Sequence, residues 1–130
     1  MKTLLFLSII MMPAFSADFN KQVWSKGFEH FVFSYQESTN LLVSLHCLNE
    51  DVNLQNSPCE AVKILKNKKS LTLPRGASSG GKNPGAVVCK TALNKNILIL
   101  KDSKNNENSF CVFDDGSMIS AITLQSLIKD

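Results

Sequence analysis

The chain has 130 residues, with 14 Lys and Arg, 11 Asp and Glu, and a formal net charge of +3 at pH 7. This length suits one small domain or two very small units. A nucleic-acid-binding protein concentrates its basic residues in a patch or stripe, whereas those of this chain are scattered. We therefore expect no nucleic-acid partner.

The N-terminus, "MKTLLFLSIIMMPAFS", has the layout of a secretory signal peptide. Lys2 is its positive start, residues 4–12 are its apolar region, and residues 14–16 are a small-residue cleavage site. A short N-terminal membrane anchor is the alternative, but a membrane span needs roughly 20 apolar residues. We expect residues 1–16 to be cleaved after Ser16, and the mature protein to be periplasmic or secreted.

Four cysteines follow this segment: Cys47, Cys59, Cys89 and Cys111. In a small exported chain they predict two disulfides. We prefer Cys47–Cys59 with Cys89–Cys111, because each bridge then stays within a local unit. Zinc is the alternative, but there is no Cys-x-x-Cys pair, and His46 would point away from Cys47 if that stretch were a strand. We expect no metal and no cofactor.

The first predicted unit covers residues 17–74. Apolar residues at three- and four-residue intervals over residues 19–31 predict a short amphipathic helix, which Gly27 weakens. The stretches "FVFSYQ" (31–36) and "LLVSLHCL" (41–48) alternate around a turn and predict a β-hairpin, although the second stretch also fits a helix.

A second helix is predicted at the end of this unit. Ser57 can be its N-cap, Pro58 occupies the first helical position, and Glu60 completes a capping box. The helix is expected to end near Lys66 and to lead into the strand "SLTL", residues 70–73.

The stretch "RGASSGGKN", residues 75–83, resembles a phosphate-binding loop. That motif needs Ser or Thr after Lys82 to hold magnesium, and Asn83 stands there instead. A Ser-x-x-Lys motif at residues 79–82 contains two glycines, which disfavour the helix start that penicillin-binding enzymes require. We interpret residues 75–83 as a flexible Gly/Ser linker.

The second predicted unit covers residues 84–130, and its helix begins at the Asn83-Pro84 pair. "NILIL" (96–100) and "FCVFDD" (110–115) are predicted strands, and "MISAITLQSLI" (118–128) is a further strand or a short helix. The whole pattern predicts an α+β fold, in which short helices pack on antiparallel strands and two disulfides staple the chain.

Two motifs in this second unit carry a resemblance: "NPGAVVC", and "CVFDDG" after a strand and a polar turn. Together they resemble a small exported bacterial domain of unknown function that is often labelled a hemolysin. The matching residues, within about residues 82–124, are Asn83, Pro84, Val87, Cys89, Cys111, Phe113 and Gly116. The resemblance implies a Cys89–Cys111 disulfide and an exported bacterial setting, and it implies no activity.

The sequence departs from that family in two places. The usual Gly-Gly after the first helix is Asn94-Lys95 here, and "ISAITL" (residues 119–124) replaces an acidic segment that contains tryptophan. If the tryptophan serves a binding surface in the family, this protein lacks that surface.

No catalytic residue is predicted. A nucleophile–histidine–acid set would need His30 or His46, and the chain contains no Gly-x-Ser-x-Gly motif. Asp114 and Asp115 would point to opposite faces of a strand, so they could not flank one glycosidic bond. "DDG" is typical of a turn.

Aromatic residues are frequent near the N-terminus of the mature chain. Six of them are Phe19, Trp24, Phe28, Phe31, Phe33 and Tyr35. They predict either a membrane-active or partner-binding surface or, as we prefer for so small a domain, the hydrophobic core.

The function expected from these features is a non-enzymatic exported interaction module that binds an unknown protein or envelope component. A membrane-active toxin or host-directed effector is the first alternative, although the predicted helix carries little positive charge and membrane contact is not favoured. A small secreted hydrolase is the second.

Overall fold

The computed structural model describes residues 19–66 and 83–128. These ranges contain strands, short helices and one 3₁₀ turn (Glu37–Thr39). In chain order the strands and α-helices are β1 (Phe19–Lys26), β2 (Glu29–Gln36), β3 (Leu41–Ser44), α1 (Glu60–Lys66), α2 (Pro84–Thr91), β4 (Asn96–Lys101), β5 (Glu107–Val112), β6 (Met118–Ser120) and α3 (Ala121–Gln125). The predicted signal peptide and the predicted strand at residues 70–73 lie outside the described residues.

The strands form a closed barrel in the order β1-β2-β3-β6-β5-β4, and every pairing is antiparallel. β3 meets β6 where Val43 lies opposite Ile119, and β1 meets β4 where Ser25 lies opposite Lys101. An antiparallel sheet with a few short helices confirms the coarser part of the predicted fold class. The prediction did not include the closure of the sheet into a barrel. Closure gives the sheet an interior that is separate from the side on which the helices pack.

The barrel takes strands from both predicted units. β1, β2 and β3 come from residues 17–74, and β4, β5 and β6 come from residues 84–130. The two sets of strands therefore share one hydrogen-bonded sheet. Residues 75–82 of the predicted linker lie outside the described part of the chain.

The helix predicted over residues 19–31 is wrong, because this region is strand β1 and the start of β2. Side chains alternate along β1: Trp24 is buried among interior residues, whereas Val23 is half exposed on the outer face. Gly27 has a φ of 61°, a left-handed conformation that suits the tight turn into β2. The predicted hairpin is confirmed by the pairing of β2 with β3.

Six buried side chains fill the barrel interior: Trp24, Phe33, Leu42, Leu100, Phe110 and Met118. The Phe110 ring stacks on Phe33 with 4.5 Å between ring centroids, and it meets Trp24 edge-on at 5.5 Å. Aromatic pairs in these geometries add to the stabilisation that comes from burial. The core interpretation is confirmed for Trp24 and Phe33, whereas Phe28 is fully exposed.

A second core lies between the helices and the outer side of the barrel. It contains buried residues of β3, β5, β6, α1, α2 and α3 together with all four cysteines. The predicted disulfides, Cys47–Cys59 and Cys89–Cys111, are confirmed. Cys59 lies just before α1 and is bonded to Cys47 in the turn after β3. Cys89 of α2 is bonded to Cys111 of β5. Both disulfides therefore lie where the helices pack on the sheet.

The helix that begins at Asn83-Pro84 is also confirmed, since the Asn83 side chain accepts a hydrogen bond from the Gly85 N–H at 2.9 Å. A Cβ at Gly85 would overlap the carbonyl of Ala121. Only glycine therefore lets α2 approach α3 this closely. Residues 118–128 were predicted as a strand or a short helix, and they form both: β6 ends at Ser120 and α3 follows it.

Candidate functional site

The residues shared with the hemolysin-like motifs cluster around α2 and the turn after β5. Cys89 and Cys111 join the two, and Phe113 is buried in the same core. Gly116 closes the turn with a φ of 84°, and its N–H donates to the Phe113 carbonyl at 2.9 Å. Asn83 and Pro84 lie at the start of α2, and Val87 is half-buried within it. The motif residues therefore have structural roles. None of their side chains forms a chemical centre.

Asn94 is the first residue of the Asn94-Lys95 pair, which stands where the resemblance leads us to expect Gly-Gly. It follows α2 with a φ of 53°, a left-handed conformation that glycine adopts readily and asparagine tolerates. The next residue, Lys95, donates its N–H to the Cys89 carbonyl at 2.8 Å and closes the end of the helix. Asn94 therefore adopts a backbone conformation that glycine would also allow.

The two adjacent acids take different structural roles. Asp114 forms an ion pair with Lys95 at 2.9 Å, and both partners lie near the surface. Asp115 accepts hydrogen bonds from the backbone N–H groups of Glu60 and Ser117. Burial raises the pKa of Asp115, but these bonds and that from the Ser117 hydroxyl outweigh it and hold the pKa below its usual value. The prediction of a turn at "DDG" is confirmed.

The start of α1 corrects one detail of the sequence analysis. The predicted capping box is not formed, because the Ser57 hydroxyl accepts from the Cys59 N–H at 3.4 Å and the Glu60 N–H donates to Asp115. The helix itself is confirmed and ends at Lys66 as predicted, but it begins at Glu60, so Pro58 is not its first residue.

His46 lies beside the first disulfide. A nitrogen of its ring and the sulfurs of Cys47 and Cys59 are all within 4.8 Å of one another. The reason given above for separating His46 from Cys47 is wrong, because β3 ends at Ser44 and the chain turns before His46. Cysteine binds a metal as the thiolate, and both of these sulfurs are in the disulfide. Among these three residues, only His46 therefore offers a good metal ligand.

The other histidine, His30, contacts a serine. Its Nδ1 lies 2.6 Å from the Ser25 hydroxyl, because the two residues are directly opposite on β2 and β1. Both groups lie on the outer side of the barrel and are open to solvent. No carboxylate among the described residues forms a hydrogen bond with this histidine.

We call the outer surface of β1, β2 and the end of β4 that carries Ile99 and Lys101 the β1–β2–β4 face. Val23 and Val32 lie opposite each other across β1 and β2 and are 51% and 42% exposed. Ile99 of β4 is 54% exposed. Phe28, in the turn at one end of this face, is wholly exposed.

A polar row separates the apolar side chains of the β1–β2–β4 face. It runs from His30 through Ser25 to Lys101, which pairs with Glu107 of β5 at 3.6 Å. The antiparallel register places Val23 and Val32 on one side of this row. Ile99 and the Phe28 turn lie on the other side.

A pocket of about 330 Å³ opens beside this face, between β1, β2 and the loop after β3. Its lining residues are Lys21, Ser34, Leu45, Asn49, Glu50 and Asp51. Sequence reasoning missed both the pocket and the β1–β2–β4 face, because it assigned β1 to a helix. The period-two alternation in "KQVWS" was the available signal.

The Gly/Ser stretch that resembles a phosphate-binding loop, with the Ser-x-x-Lys motif inside it, lies outside the described residues apart from Asn83. The fold defines a small antiparallel barrel with helices on one side, and its two disulfides indicate an oxidising environment. None of the helices described has the length and apolar character that crossing a membrane requires. No family model, curated protein or solved structure matches the chain.

Proposed function

We propose that this is a bacterial, exported, non-enzymatic interaction module that binds a protein partner through its β1–β2–β4 face. The observation that carries the proposal is the set of exposed apolar side chains on that face, with Phe28 wholly exposed at its end. A soluble domain normally buries an aromatic side chain of this size, and exposed apolar groups gathered on one face favour a docking surface.

The chemistry of the face favours a protein over a lipid surface. Its apolar side chains flank a polar row that can form hydrogen bonds, which is the mixture found in protein interfaces. The charges on and beside it have both signs: Lys26 and Lys101 stand against Glu29 and Glu107. An anionic membrane would instead favour a predominantly cationic rim.

Export is supported by the two disulfides and by the predicted signal peptide at residues 1–16. The hemolysin-like motifs support a bacterial periplasmic or secreted setting. They do not favour lysis, because their residues stabilise the α2 region and lie away from the β1–β2–β4 face.

The test places a photo-crosslinking amino acid at position 28 or position 99 of the oxidised protein in the producing cell. Matched controls carry it at Leu54 and Ile122, which are also exposed apolar residues but lie elsewhere. Any protein captured from the two test positions is then purified. Its affinity is measured for the unmodified protein and for a Phe28→Ser, Ile99→Thr variant.

The proposal requires capture at positions 28 and 99 but not at 54 and 122, and an affinity that falls about tenfold or more in the variant. Crosslinks to residues 1–18 or 67–82 of the same chain would show that the face is covered internally. Sedimentation with phosphatidylglycerol vesicles that depends on Phe28 would assign it to a membrane. Either result overturns the proposal.

A small secreted hydrolase is the second candidate, and the Ser25–His30 contact is the observation that favours it. A serine–histidine pair is the core of one kind of nucleophilic catalysis. Release of nitrophenol from p-nitrophenyl acetate, lost in both Ser25→Ala and His30→Ala and retained in His46→Ala, would support it. Equal hydrolysis by all four proteins would reject it.

A further inference from the structure

We infer that the pocket beside β1 and β2 is a binding site for a small zwitterion, of the class of free α-amino acids and dipeptides. The inference goes beyond the proposed protein partner and does not depend on it. A volume of about 330 Å³ is at the lower end of small-molecule sites and suits a ligand of this size.

Ser34 provides the first argument. It lines the pocket and is 1% exposed, and its hydroxyl oxygen has no hydrogen-bond partner among the described residues. A buried hydroxyl without a partner is destabilising, so each such group needs an explanation. The oxygen itself is buried, so a polar molecule in the pocket becomes its partner once rotation about the Cα–Cβ bond turns the hydroxyl toward the pocket.

The charges on the two walls provide the second argument. Lys21 is the cross-strand neighbour of Ser34 on β1, so its ammonium group belongs to the strand wall. Glu50 and Asp51 belong to the opposite wall, formed by the loop after β3. Lys21 forms no ion pair with either carboxylate, although all three line the same pocket.

Opposite charges that line one pocket without forming an ion pair match a ligand that carries both charges. The carboxylate of an amino acid or dipeptide would pair with Lys21, and its ammonium group with Glu50 and Asp51. Charge-assisted hydrogen bonds of this kind are about twice as strong as neutral ones. A ligand with only one charge would leave one wall without a partner.

The acidic wall is built before any ligand arrives. The Asn49 side-chain oxygen accepts hydrogen bonds from the N–H groups of Asp51 and Val52, at 2.8 and 3.1 Å. Its amide nitrogen donates to the Leu45 carbonyl at 3.1 Å. These three bonds fix the loop that carries Glu50 and Asp51, so binding does not have to order it.

The experiment uses the purified oxidised protein and ¹H–¹⁵N NMR titrations. The probes are L-alanyl-L-alanine, its N-acetyl derivative, which keeps only the carboxylate, and its C-terminal amide, which keeps only the ammonium group. We expect saturable shifts at the amides of Lys21, Leu45 and Asp51 with the zwitterion. Each singly charged derivative should bind about tenfold more weakly.

Variants test the assignment of each wall. Lys21→Gln should remove the preference for the zwitterion over the amide derivative, and a Glu50→Gln, Asp51→Asn variant should remove the preference over the N-acetyl derivative. Ser34→Ala should weaken binding of the zwitterion without loss of stability. Lys90→Gln, which changes an exposed lysine of α2 that does not line the pocket, is the control and should change nothing.

Three results would overturn the inference. They are no saturable shift with L-alanyl-L-alanine at millimolar concentration, equal binding of all three probes, and equal loss of binding in Lys90→Gln and Lys21→Gln. The crosslinking test of the β1–β2–β4 face is unaffected by any of these results, so the two proposals can fail separately.

Discussion

The Asp115 carboxylate accepts a hydrogen bond from the Glu60 backbone N–H at 2.9 Å, although the two residues are 55 positions apart in the chain. The Ser117 hydroxyl accepts from the next amide, that of Ala61, at 3.1 Å. The first amides of a helix have no partner within it, and a negative charge there is favourable. The turn after β5 therefore caps α1, whereas a helix is usually capped by the residue that directly precedes it.

Asp115→Ala should lower the free energy of unfolding by about 1 kcal/mol at neutral pH, the typical cost of a lost N-cap. Asp114→Ala is the matched control, because it removes only a surface ion pair with Lys95, worth about 0–1 kcal/mol. Urea unfolding of both variants measures the difference. Equal stability of the two variants would contradict a capping role for Asp115.

The same interaction gives a pH dependence. Since the pKa of Asp115 in the folded protein lies below its value of 3.8 in the unfolded chain, the contribution is fully present above pH 3.8. It is lost as the pH falls through the lower, folded-state pKa. The stability difference between the unmodified protein and Asp115→Ala should therefore shrink in acid. A difference that stays constant below pH 3.8 would show that the charge is not involved.

Local signals were sufficient for much of this fold. The sequential disulfides, the helix at Asn83-Pro84 and the β2–β3 hairpin each depend on neighbours in the chain, and all three were predicted. β1 was missed because "FNKQVWSK" fits both a helical and an alternating period, and its pairing with β2 decides between them.

Barrel closure could not be predicted, for a different reason. It depends on the pairings of β3 with β6 and of β1 with β4, which join residues far apart in the sequence. The two candidate surfaces depend on that closure. Ser34 reads as an ordinary strand residue, and only the fold places it opposite Lys21 and beside the Asn49 loop.

Replacing either disulfide by alanines should lower the free energy of unfolding by about 3 kcal/mol, because the bridges constrain 12- and 22-residue separations in the unfolded chain. The Cys89→Ala, Cys111→Ala variant and the Cys47→Ala, Cys59→Ala variant are each compared with the oxidised protein by denaturant unfolding. A loss below about 1 kcal/mol for either pair would show that its bridge adds little beyond packing.

Gly85→Ala should destabilise the protein by about 2 kcal/mol or more, because the new methyl group would overlap the Ala121 carbonyl and push α2 away from α3. Gly27→Ala is the comparison. Its side chain would meet open space, and only the φ of 61° opposes it, at about 1–2 kcal/mol. Asparagine at position 27 should recover part of that loss, whereas Gly85→Asn should be worse than Gly85→Ala. Similar behaviour at both glycines would contradict the close α2–α3 contact.

Ser34 and Ser44 should respond in opposite ways to replacement by alanine, although both are buried on neighbouring strands. The Ser44 hydroxyl accepts from the Met118 N–H at 2.9 Å, so Ser44→Ala leaves a buried donor without a partner and should cost about 1–3 kcal/mol. Ser34 loses no hydrogen bond, so Ser34→Ala should leave the free energy of unfolding unchanged or raise it by up to about 1 kcal/mol. Thermal and urea unfolding of the two variants checks both signs. A Ser34→Ala protein that is destabilised as much as Ser44→Ala would mean that this hydroxyl has a structural partner, and that would remove the first argument for a ligand in the pocket.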